Sequence, residues 1–380
     1  MIDLSQIFKE NEKKIVVAMS GGVDSSVVAA FLKKSGYDVI GITLQLYDHG
    51  EVLKKKGACC AGADIYDAKK VAEKFNFPHY VLNYESLFKD SVIEDFAESY
   101  INGETPIPCI RCNQTVKFSD LLKVAKDLGT DCLATGHYVR RDFDGQNNFL
   151  LKATDLSKDQ SYFLFATTKE QLSFLRFPLG GLDKSETRKL AQDLGLEISN
   201  KPDSQDICFV PNGNYAKIVE KYRPKAFKKG DIYHINGEKL GTHEGIINYT
   251  IGQRKGLGIS SQDPLFVIKI KPKENQIIVG EEKYLFNKEF IIKEINWLGD
   301  DQDLKKEVNL KVRLRSSAAE KEAKINFFHE NNILKAKIIL KEGDRAITKG
   351  QACVFYDNDR VMGGGWIERI IPKFILKYTI

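Results

Sequence analysis

The apolar and polar positions along the chain change their pattern near residue 210. In the first half, short apolar runs alternate with helical patterns. The predicted strands are Ile15–Met19, Val39–Leu46, His79–Leu82 and Asp131–Thr135. The predicted helices are Ser25–Lys34, Asp64–Phe75, Leu87–Tyr100, Lys117–Leu128 and Lys184–Leu194. This alternation predicts an α/β fold with a doubly wound parallel sheet and helices on both faces.

The second half of the chain has a different pattern of apolar and polar residues. A turn cluster at Pro211–Asn214 precedes a short helix, Tyr215–Tyr222. After residue 265 the chain shows short alternating strands, which are typical of a small β-barrel. The predicted strands include Leu265–Ile270, Gln276–Val279, Val308–Leu314, Lys335–Leu340 and Ala352–Tyr356. We therefore predict an α/β domain over residues 1–210, a small central domain over 211–283 and a β-barrel over 284–380.

Composition narrows the class of protein. A chain of 380 residues is long enough for two or three domains. The net charge of +5 is compatible with a nucleic-acid partner without implying one. Residues 1–14 have no hydrophobic signal core and no long apolar run follows, so we expect a cytoplasmic protein with no membrane partner. In a reducing compartment, the seven cysteines are expected to be catalytic, metal-binding or core residues rather than disulfides.

A glycine turn follows the first predicted strand. Its sequence is Ser20-Gly21-Gly22-Val23-Asp24-Ser25, and a helical pattern begins at once. Glycine lets the backbone approach a ligand closely, and amides at a helix start favour an anion. The turn therefore predicts a pyrophosphate cradle, although neither the Walker spacing nor G-x-G-x-x-G is present. The alternative is a plain strand–turn–helix with its N-cap at Asp24 or Ser20.

Two further strand ends are expected at the same edge of the sheet. Leu44 lies at the end of the second strand, and Gly136 and His137 follow the strand that ends at Thr135. Ligands of doubly wound sheets bind beyond the carboxyl ends of the strands. We therefore expect these residues and the glycine turn to form one site.

The cysteines supply the second candidate chemistry. Cys109 and Cys112 have C-x-x-C spacing, after a proline-stiffened loop and before a helix. A helix N-terminus and the neighbouring Arg111 are expected to lower a thiol pKa and favour a nucleophile or a ligand. Two structural cysteines or a redox pair are the alternatives. Cys208 lies in a polar loop, Cys132 and Cys353 are predicted core residues, and Cys59-Cys60 receives no role.

Several of these motifs resemble those of known protein families. Ser-Gly-Gly-x-Asp-Ser resembles the PP-loop of the ATP pyrophosphatases, which cut ATP between the α and β phosphates and adenylate a substrate. The whole chain resembles the bacterial-type tRNA-specific 2-thiouridylases, which sulfurate the wobble uridine of certain tRNAs. The matching segments are Ala18–Ser25, Thr105–Phe118, Ala134–Arg140, Lys158–Tyr162, Asp203–Phe209, Tyr249–Ile259 and Gly350–Tyr356.

The resemblance implies roles for particular residues. The residues implied to hold ATP are Ala18, Met19, Ser20, Gly21, Gly22, Val23, Asp24, Ser25, Leu44 and Gly136. Cys112 matches the nucleophile, and Cys208 matches the cysteine that carries a persulfide. The residues that match positions touching tRNA are His137, Lys158, Asp159, Gln160, Arg313, Leu314 and Gln351.

The implied reaction is adenylation of the uridine C2 oxygen, followed by sulfur transfer from a persulfide on Cys208. ATP and Mg²⁺ are the implied cofactors. The implied partners are the anticodon stem-loop of tRNA and a sulfur donor such as a cysteine desulfurase or a sulfur-relay protein. Two other classes remain open: another adenylating ligase or amidotransferase of the PP-loop type, and a non-catalytic RNA-binding protein that retains an ATP pocket.

One position departs from the pattern of the family. Many members have Asp where this chain has Cys109. The departure leaves three cysteines, Cys109, Cys112 and Cys208, which can converge. Three thiolates with one open position can hold an iron–sulfur cluster, and the same set can bind zinc. The competing expectation is that Cys109 is a neutral pocket residue.

Overall fold

The computed structural model describes residues 2–47, 61–203, 207–210 and 213–372. The chain divides into two compact units. The first comprises Met1–Val92, Cys109–Gly213 and Asp359–Val361, and the second comprises Ile93–Pro108, Asn214–Asn358 and Met362–Ile380. Among the described residues, the helices are all too short or too polar to cross a membrane.

A parallel sheet organises the first unit. The strands here are β1 (Lys14–Ala18), β2 (Asp38–Gln45), β3 (His79–Asn83), β4 (Cys132–Thr135), β5 (Val139–Phe143), β6 (Asn148–Lys152) and β7 (Leu175–Arg176). Five of those described form the sheet, in the order β3-β2-β1-β4-β7, and β5 pairs with β6 as an antiparallel hairpin. Ala18 pairs with Ile42 of β2 and with Thr135 of β4, so these strands end at the same edge.

Both faces of this sheet are covered. Ile15, Val16 and Val17 of β1 are fully buried, although successive side chains of a strand point to opposite faces. The helices along the chain are α1 (Val23–Lys34), α2 (Ala61–Phe75), α3 (Glu85–Phe88), α4 (Glu94–Ile101), α5 (Pro108–Arg111), α6 (Leu121–Asp127), α7 (Lys169–Phe174), α8 (Lys184–Asp193) and α9 (Tyr215–Tyr222). α1 packs against both α2 and α8, and α6 packs against β4.

Two of the predicted helices are not continuous α-helices. The pattern at Leu87–Tyr100 is interrupted by a π-helical segment, Lys89–Ile93, and the helix predicted at Lys117–Leu128 begins earlier, as the π-helical segment Cys112–Asp120. Apolar spacing cannot separate the two helix types over so few residues, because they differ by about one residue per turn. The second π segment begins at one of the candidate catalytic cysteines.

The second unit is built from antiparallel β-structure and a small sheet. Its strands are β8 (Gly230–His234), β9 (Lys239–His243), β10 (Phe266–Lys271), β11 (Gln276–Gly280), β12 (Phe286–Trp297), β13 (Glu307–Arg313), β14 (Lys321–Glu330), β15 (Ile333–Arg345), β16 (Ala352–Asp357) and β17 (Arg360–Ile371). Among the described residues, β8–β11 form one sheet in the order β10-β11-β8-β9. β12–β17 form a barrel that closes where β12 pairs with β17.

The predicted fold class is confirmed: a parallel α/β sheet, a small middle domain and a C-terminal β-barrel. The strands predicted at Leu265–Ile270 and Gln276–Val279 lie in the separate middle sheet, within the predicted central domain, so the barrel-like pattern that begins after residue 265 extends over two sheets. The pattern shows that these segments are strands, but not which neighbours pair with them. The domain boundaries stay a prediction.

An ion pair is buried beside the edge strand β7. The side chains of Arg176 and Glu12 are 2% and 8% exposed. Arg176 Nε donates to Glu12 Oε2 at 3.0 Å, and a second guanidinium nitrogen donates to the other carboxylate oxygen. Arg176 also donates to the carbonyl oxygens of Ser173 and Leu175, at 2.9 and 2.8 Å. The pair ties the segment before β1 to the edge of the sheet.

We expect Arg176→Met to lower the free energy of unfolding by about 3–5 kcal/mol, because it leaves the Glu12 carboxylate buried without its cation. The double variant Glu12→Met/Arg176→Met should recover much of that loss. Chemical denaturation measures both. Lys126→Met removes a comparable but exposed pair with Glu170 and should change stability by less than about 1 kcal/mol. A similar effect of Arg176→Met and Lys126→Met would contradict the assigned role.

Candidate active site

The glycine turn between β1 and α1 has the geometry of a phosphate cradle. Gly21 adopts a φ of +74°, and a Cβ placed on it would lie 2.1 Å from the carbonyl oxygen of Asp64. Only glycine therefore fits this position. The N-cap of α1 is Gly22, so the alternative N-cap at Asp24 or Ser20 is wrong. A helix start without a capping side chain presents its amides to a ligand.

Serine hydroxyls set the shape of the turn. The amide of Ser20 donates to Ser25 Oγ at 3.1 Å, and the two hydroxyl oxygens lie 3.3 Å apart. Ser26 is fully buried, and its Oγ has no hydrogen-bond partner among the described residues. Because a buried hydroxyl usually pairs, the unpaired Ser26 hydroxyl is a further polar group of this turn, in keeping with the expectation that Ser20, Ser25 and Ser26 supply hydroxyl donors.

The end of β4 lies against the start of α1. A Cβ on Gly136 would lie 2.8 Å from the amide nitrogen of Ser25 and 3.0 Å from the carbonyl carbon of Asp24. Glycine is needed here because the two backbones approach so closely. The structure thus brings Gly136 to the glycine turn. Leu44 lies in β2, beyond the Ile42 position that pairs with Ala18, at the same edge of the sheet.

A charged network surrounds Asp24. Lys184 Nζ lies 2.7 and 2.8 Å from the two carboxylate oxygens of Asp24, and the hydroxyl of Tyr138 donates to the same carboxylate at 2.8 Å. The side chain of Lys184 is 13% exposed. Lys184 is the first residue of α8, where the helix dipole disfavours a cation. That unfavourable placement was the signal in the sequence that Lys184 serves a purpose other than helix formation.

Asp203 continues this network. Its carboxylate accepts from Lys184 at 2.9 Å, Arg188 at 3.0 Å and Lys158 at 3.1 Å. Partial burial raises its pKa, but the hydrogen bonds from Lys184 and Lys158 outweigh this and leave the pKa of Asp203 lowered. Asp203 is therefore ionised at neutral pH. It lies five residues before Cys208.

Lys201 supports the cradle from the other side. Its Nζ donates to the carbonyl oxygen of Gly21 at 3.0 Å and pairs with Asp64 and Asp67 at 2.6 and 2.7 Å. Burial lowers the pKa of Lys201, but hydrogen bonds and charge interactions with Asp64 and Asp67 together raise it by more. The net shift is therefore upward. Lys201 leaves no local signal in the sequence, because its partners lie more than a hundred residues away in the chain.

The pKa of Cys112 is shifted in the opposite direction to the one predicted from the sequence. Cys112 is buried, and burial raises the pKa of its thiol, whereas the sequence predicts a lowered pKa. The helix begins at Pro108, so Cys112 lies a full turn inside it, away from the favourable helix start. The charge of Lys117 lowers the pKa of Cys112, but not enough to offset burial.

Cys208 interacts electrostatically with both cysteines of the C-x-x-C pair. Protein atoms around its thiol remove water from it and raise its pKa, although the residue as a whole is exposed. The negative charges of the Cys112 and Cys109 thiolates raise the pKa further. Cys109 is exposed, in the first turn of α5. The structure therefore brings the three predicted cysteines into one electrostatic neighbourhood of the first unit.

The predictions for the other cysteines have different outcomes. Cys132 in β4 and Cys353 in β16 are fully buried, which confirms that they are core residues. Cys59-Cys60 lies outside the described residues. The described part of the chain contains no group of three His, Cys, Asp or Glu side chains placed to hold a metal ion. A cluster or zinc site on Cys109, Cys112 and Cys208 stays a prediction.

The predicted tRNA contacts of the first unit already have partners inside the protein. Asp159 accepts from the amides of Ala153 and Ser161, and Gln160 accepts from the amide of Tyr138 at 2.9 Å. Burial and the charge of Lys117 lower the pKa of His137, so its ring is neutral at physiological pH. Its Nδ1 lies 2.9 Å from the hydroxyl of Thr135.

The other predicted tRNA contacts lie in the second unit. Arg313 pairs with Glu320 at 2.9 Å and stacks over the ring of Tyr356. The side chain of Leu314 is buried in the barrel core, so a contact with RNA would have to use its backbone. Gln351 Oε1 is buried and has no hydrogen-bond partner among the described residues. RNA contact by these residues stays a prediction.

A glycine turn at the carboxyl edge of a parallel sheet, backed by Asp24 and Lys184, defines a nucleotide-binding α/β domain. Comparison with known proteins agrees with this class. Residues 13–212 match the family model described as the tRNA methyl transferase HUP domain. Residues 216–281 match the tRNA methyl transferase PRC-barrel domain, and residues 287–367 match the aminomethyltransferase beta-barrel domain.

Curated relatives narrow the class to one family. The tRNA-specific 2-thiouridylase MnmA of Rickettsia massiliae (strain Mtu5) is 57% identical over 363 residues, which cover 95% of this chain and 98% of that protein. The protein of the same name from Rickettsia bellii (strain OSU 85-389) is 57% identical over 364 residues, 96% of this chain and 98% of that protein. The chain belongs to the family of tRNA-specific 2-thiouridylases, and the resemblance inferred from its motifs is confirmed.

We expect Gly21→Ala to abolish ATP binding, because the new Cβ would overlap the backbone of Asp64 and distort the turn. Gly36→Ala is the matched control. Gly36 also has a positive φ, +90°, but a Cβ there meets nothing within 4 Å. Calorimetric titration with ATP should show binding lost in the first variant and retained in the second. Retained binding in Gly21→Ala would contradict the cradle.

The raised pKa of Cys112 predicts a pH profile. The midpoint of its ionisation should lie above that of an ordinary thiol, which is about pH 8.5. Site-resolved alkylation with iodoacetamide, read by peptide mass spectrometry, measures this. Lys117→Met removes the charge that lowers the pKa and should move the profile to higher pH. A rate that reaches its plateau below about pH 8 would contradict the burial argument.

Proposed function

We propose that this protein is an ATP-dependent sulfurtransferase that replaces the C2 oxygen of the wobble uridine in tRNA by sulfur. The observation that carries the proposal is the placement of the phosphate cradle and the three cysteines in one compact unit. The names of the curated relatives support it. The reaction needs both a nucleotide site and a sulfur carrier, and a plain ATP-binding protein needs only the first.

ATP solves the problem of the leaving group. Oxide is a poor leaving group, so the C2 oxygen of uridine first attacks the α-phosphorus of ATP, and pyrophosphate departs. The uncapped start of α1 and the backbone of Gly21 and Gly22 are suited to hold the phosphates as negative charge develops. Mg²⁺ would neutralise phosphate charge, as it does when bound by substrate phosphates and one or two carboxylates.

In this proposal, Cys208 and Cys112 carry out the sulfur transfer. The terminal sulfur of a persulfide on Cys208 forms a bond to C2, and AMP leaves with the former C2 oxygen. The Cys112 thiolate then attacks the Cys208 sulfur, breaks the sulfur–sulfur bond and releases the 2-thiouridine. The product side is a Cys112–Cys208 disulfide, which an external thiol reductant must reduce before the next cycle. Alternatively, Cys112 attacks the persulfide first and releases sulfide as the nucleophile.

The proposal assigns the RNA to both units. The target base must be splayed out of the anticodon loop, as single-stranded loops permit. The barrel contains none of the proposed reacting groups, so its role in this proposal is to bind RNA backbone, together with Lys158 of the first unit. A sulfur donor such as a cysteine desulfurase or a relay protein would load Cys208. These partners would place the reaction in the cytoplasm.

We expect tRNA from a deletion strain to lack 2-thiouridine and to regain it when this chain is supplied, as measured by nucleoside mass spectrometry. Cys208→Ser should lose the protein-bound persulfide. Cys112→Ser should keep the persulfide but fail to thiolate tRNA, because the sulfur cannot be released. Cys132→Ser, in a buried strand away from this chemistry, is the control and should remain active. A product that gains a methyl group, or an active Cys112→Ser, would contradict the mechanism.

A further inference from the structure

A loop of the second unit carries two adjacent cations that the proposed reaction does not use. Residues 250–259, here called the cationic loop, have the sequence Thr-Ile-Gly-Gln-Arg-Lys-Gly-Leu-Gly-Ile. We propose that the cationic loop binds backbone phosphates of tRNA through Arg254 and Lys255, with Gln253 as the residue that positions them. This inference rests on the proposed function, since it takes tRNA as the substrate. It gives the middle domain its own contact with the RNA.

The two cations have no partner inside the described part of the protein. Arg254 and Lys255 are exposed, and neither side chain has an ion-pair or hydrogen-bond partner among the described residues. Lys239 of the same domain differs, because it pairs with Asp231 at 2.7 Å. Residues 245–262 contain neither Asp nor Glu, so the neighbouring chain supplies no acid either. The positive charge of the cationic loop is therefore available to an anion from outside.

Main-chain hydrogen bonds fix the base of the cationic loop. The amide of Gly252 donates to the carbonyl oxygen of Val267 at 2.8 Å, and the amide of Val267 donates to the carbonyl oxygen of Gln253 at 2.9 Å. Gly252 has a φ of +85°, and a Cβ on it would lie 2.9 Å from the Cβ of Ala346. Ala346 adopts a φ of +54°, which is uncommon for a residue other than glycine. The loop is thus tied to β10 and packed against the residue that follows β15.

The side chain of Gln253 fixes the part of the loop that carries the cations. Its oxygen accepts from the amide of Thr250 at 3.0 Å, and its nitrogen donates to the carbonyl oxygen of Lys255 at 3.0 Å. Leu257, two residues further on, is 7% exposed and anchors the loop in the protein. Because these contacts already hold the backbone at both cations, binding an anion costs less conformational entropy than it would in a freely moving loop.

The exposed surface beside the two cations favours a phosphate over a protein or a base. The exposed residues from 256 to 262 are Gly256, Gly258, Ser260, Ser261 and Gln262. None has an apolar or aromatic side chain, although protein interfaces are usually anchored by such side chains and single-stranded bases usually stack on them. Arginine binds phosphate oxygens in pairs, and lysine binds them as a point charge. The chemistry therefore fits the RNA backbone, which carries no sequence information.

The test is the affinity of the full chain for an unmodified tRNA transcript with a wobble uridine, measured by filter binding without ATP over a range of salt concentrations. Each phosphate contact contributes about 0.7–0.9 to the slope of log affinity against log salt. Arg254→Met/Lys255→Met should therefore reduce the size of this slope by about 1.4–1.8 and weaken binding at 0.1 M salt by roughly 25- to 60-fold. The loss should be similar for tRNAs of different sequence.

Two control variants separate the contact from net charge and from loop geometry. Lys229→Met/Lys239→Met also removes two positive charges from this domain, but both lysines are paired, with Glu244 at 3.1 Å and with Asp231 at 2.7 Å. This control should retain most of the wild-type slope. Gln253→Met keeps both cations but loses the side-chain bonds of the loop. It should weaken binding by about two- to tenfold and leave the slope unchanged.

Three results would overturn the proposal. The first is a wild-type slope in Arg254→Met/Lys255→Met, and the second is an equal loss of slope in the control pair of lysines. The third is unchanged tRNA affinity with slower loading of the Cys208 persulfide by a cysteine desulfurase, which would indicate an acidic protein partner instead. Wild-type affinity in Gln253→Met would overturn the positioning role of that residue.

Binding and catalysis are measured separately, so the loop and the proposed function can fail separately. A protein that thiolates tRNA, but whose Arg254→Met/Lys255→Met variant keeps the wild-type slope, would overturn the role of the cationic loop alone. A protein whose tRNA affinity depends on Arg254 and Lys255, yet which never thiolates the tRNA, would overturn the proposed function and leave the role of the loop standing.

Discussion

The carboxylate of Asp24 is the constraint around which the first unit is arranged. It lies at the start of α1, beside the place where a phosphate would bind, and an unpaired carboxylate there would repel the ligand. Lys184 and Tyr138 hold it from two other elements of the fold. Gly136 must lack a side chain so that β4 can come close to the same helix start. In the strand order β2-β1-β4, the glycine turn after β1 and Gly136 after β4 lie at the same edge of the sheet.

The surroundings of Cys112 and Cys208 keep both thiols protonated near neutral pH. Burial raises the pKa of Cys112, and loss of hydration raises that of Cys208, so neither is a ready nucleophile in the resting protein. Lys117 is the cation that lowers both values. A thiol kept protonated is protected from oxidation and from premature attack on its own persulfide partner. The chemistry proposed above therefore needs a group that removes the thiol proton, since the charges described around the two thiols leave both pKa values raised.

Much of the fold could be predicted from the sequence because it depends on local patterns. β1 is buried on both faces, and its sequence is a continuous apolar run. The glycines that follow it indicate a turn in which the backbone has no room for side chains. The network could not be predicted in this way. Lys184 meets Asp24 across 160 residues, and Lys201 meets Asp64 across 137. No local pattern encodes such pairs, and the π-helical segment at Cys112 differs from an α-helix by too little to leave a distinct apolar period.

Cys109 gives the three thiols a property that an uncharged neighbour would not. Its thiolate charge raises the pKa of both Cys112 and Cys208, and the Cys112 charge also raises that of Cys208. Groups coupled in this way lose their protons in successive steps that belong to the set rather than to one residue. Once one thiolate has formed, the next is harder to form. The arrangement therefore disfavours more than one thiolate at a time among Cys109, Cys112 and Cys208.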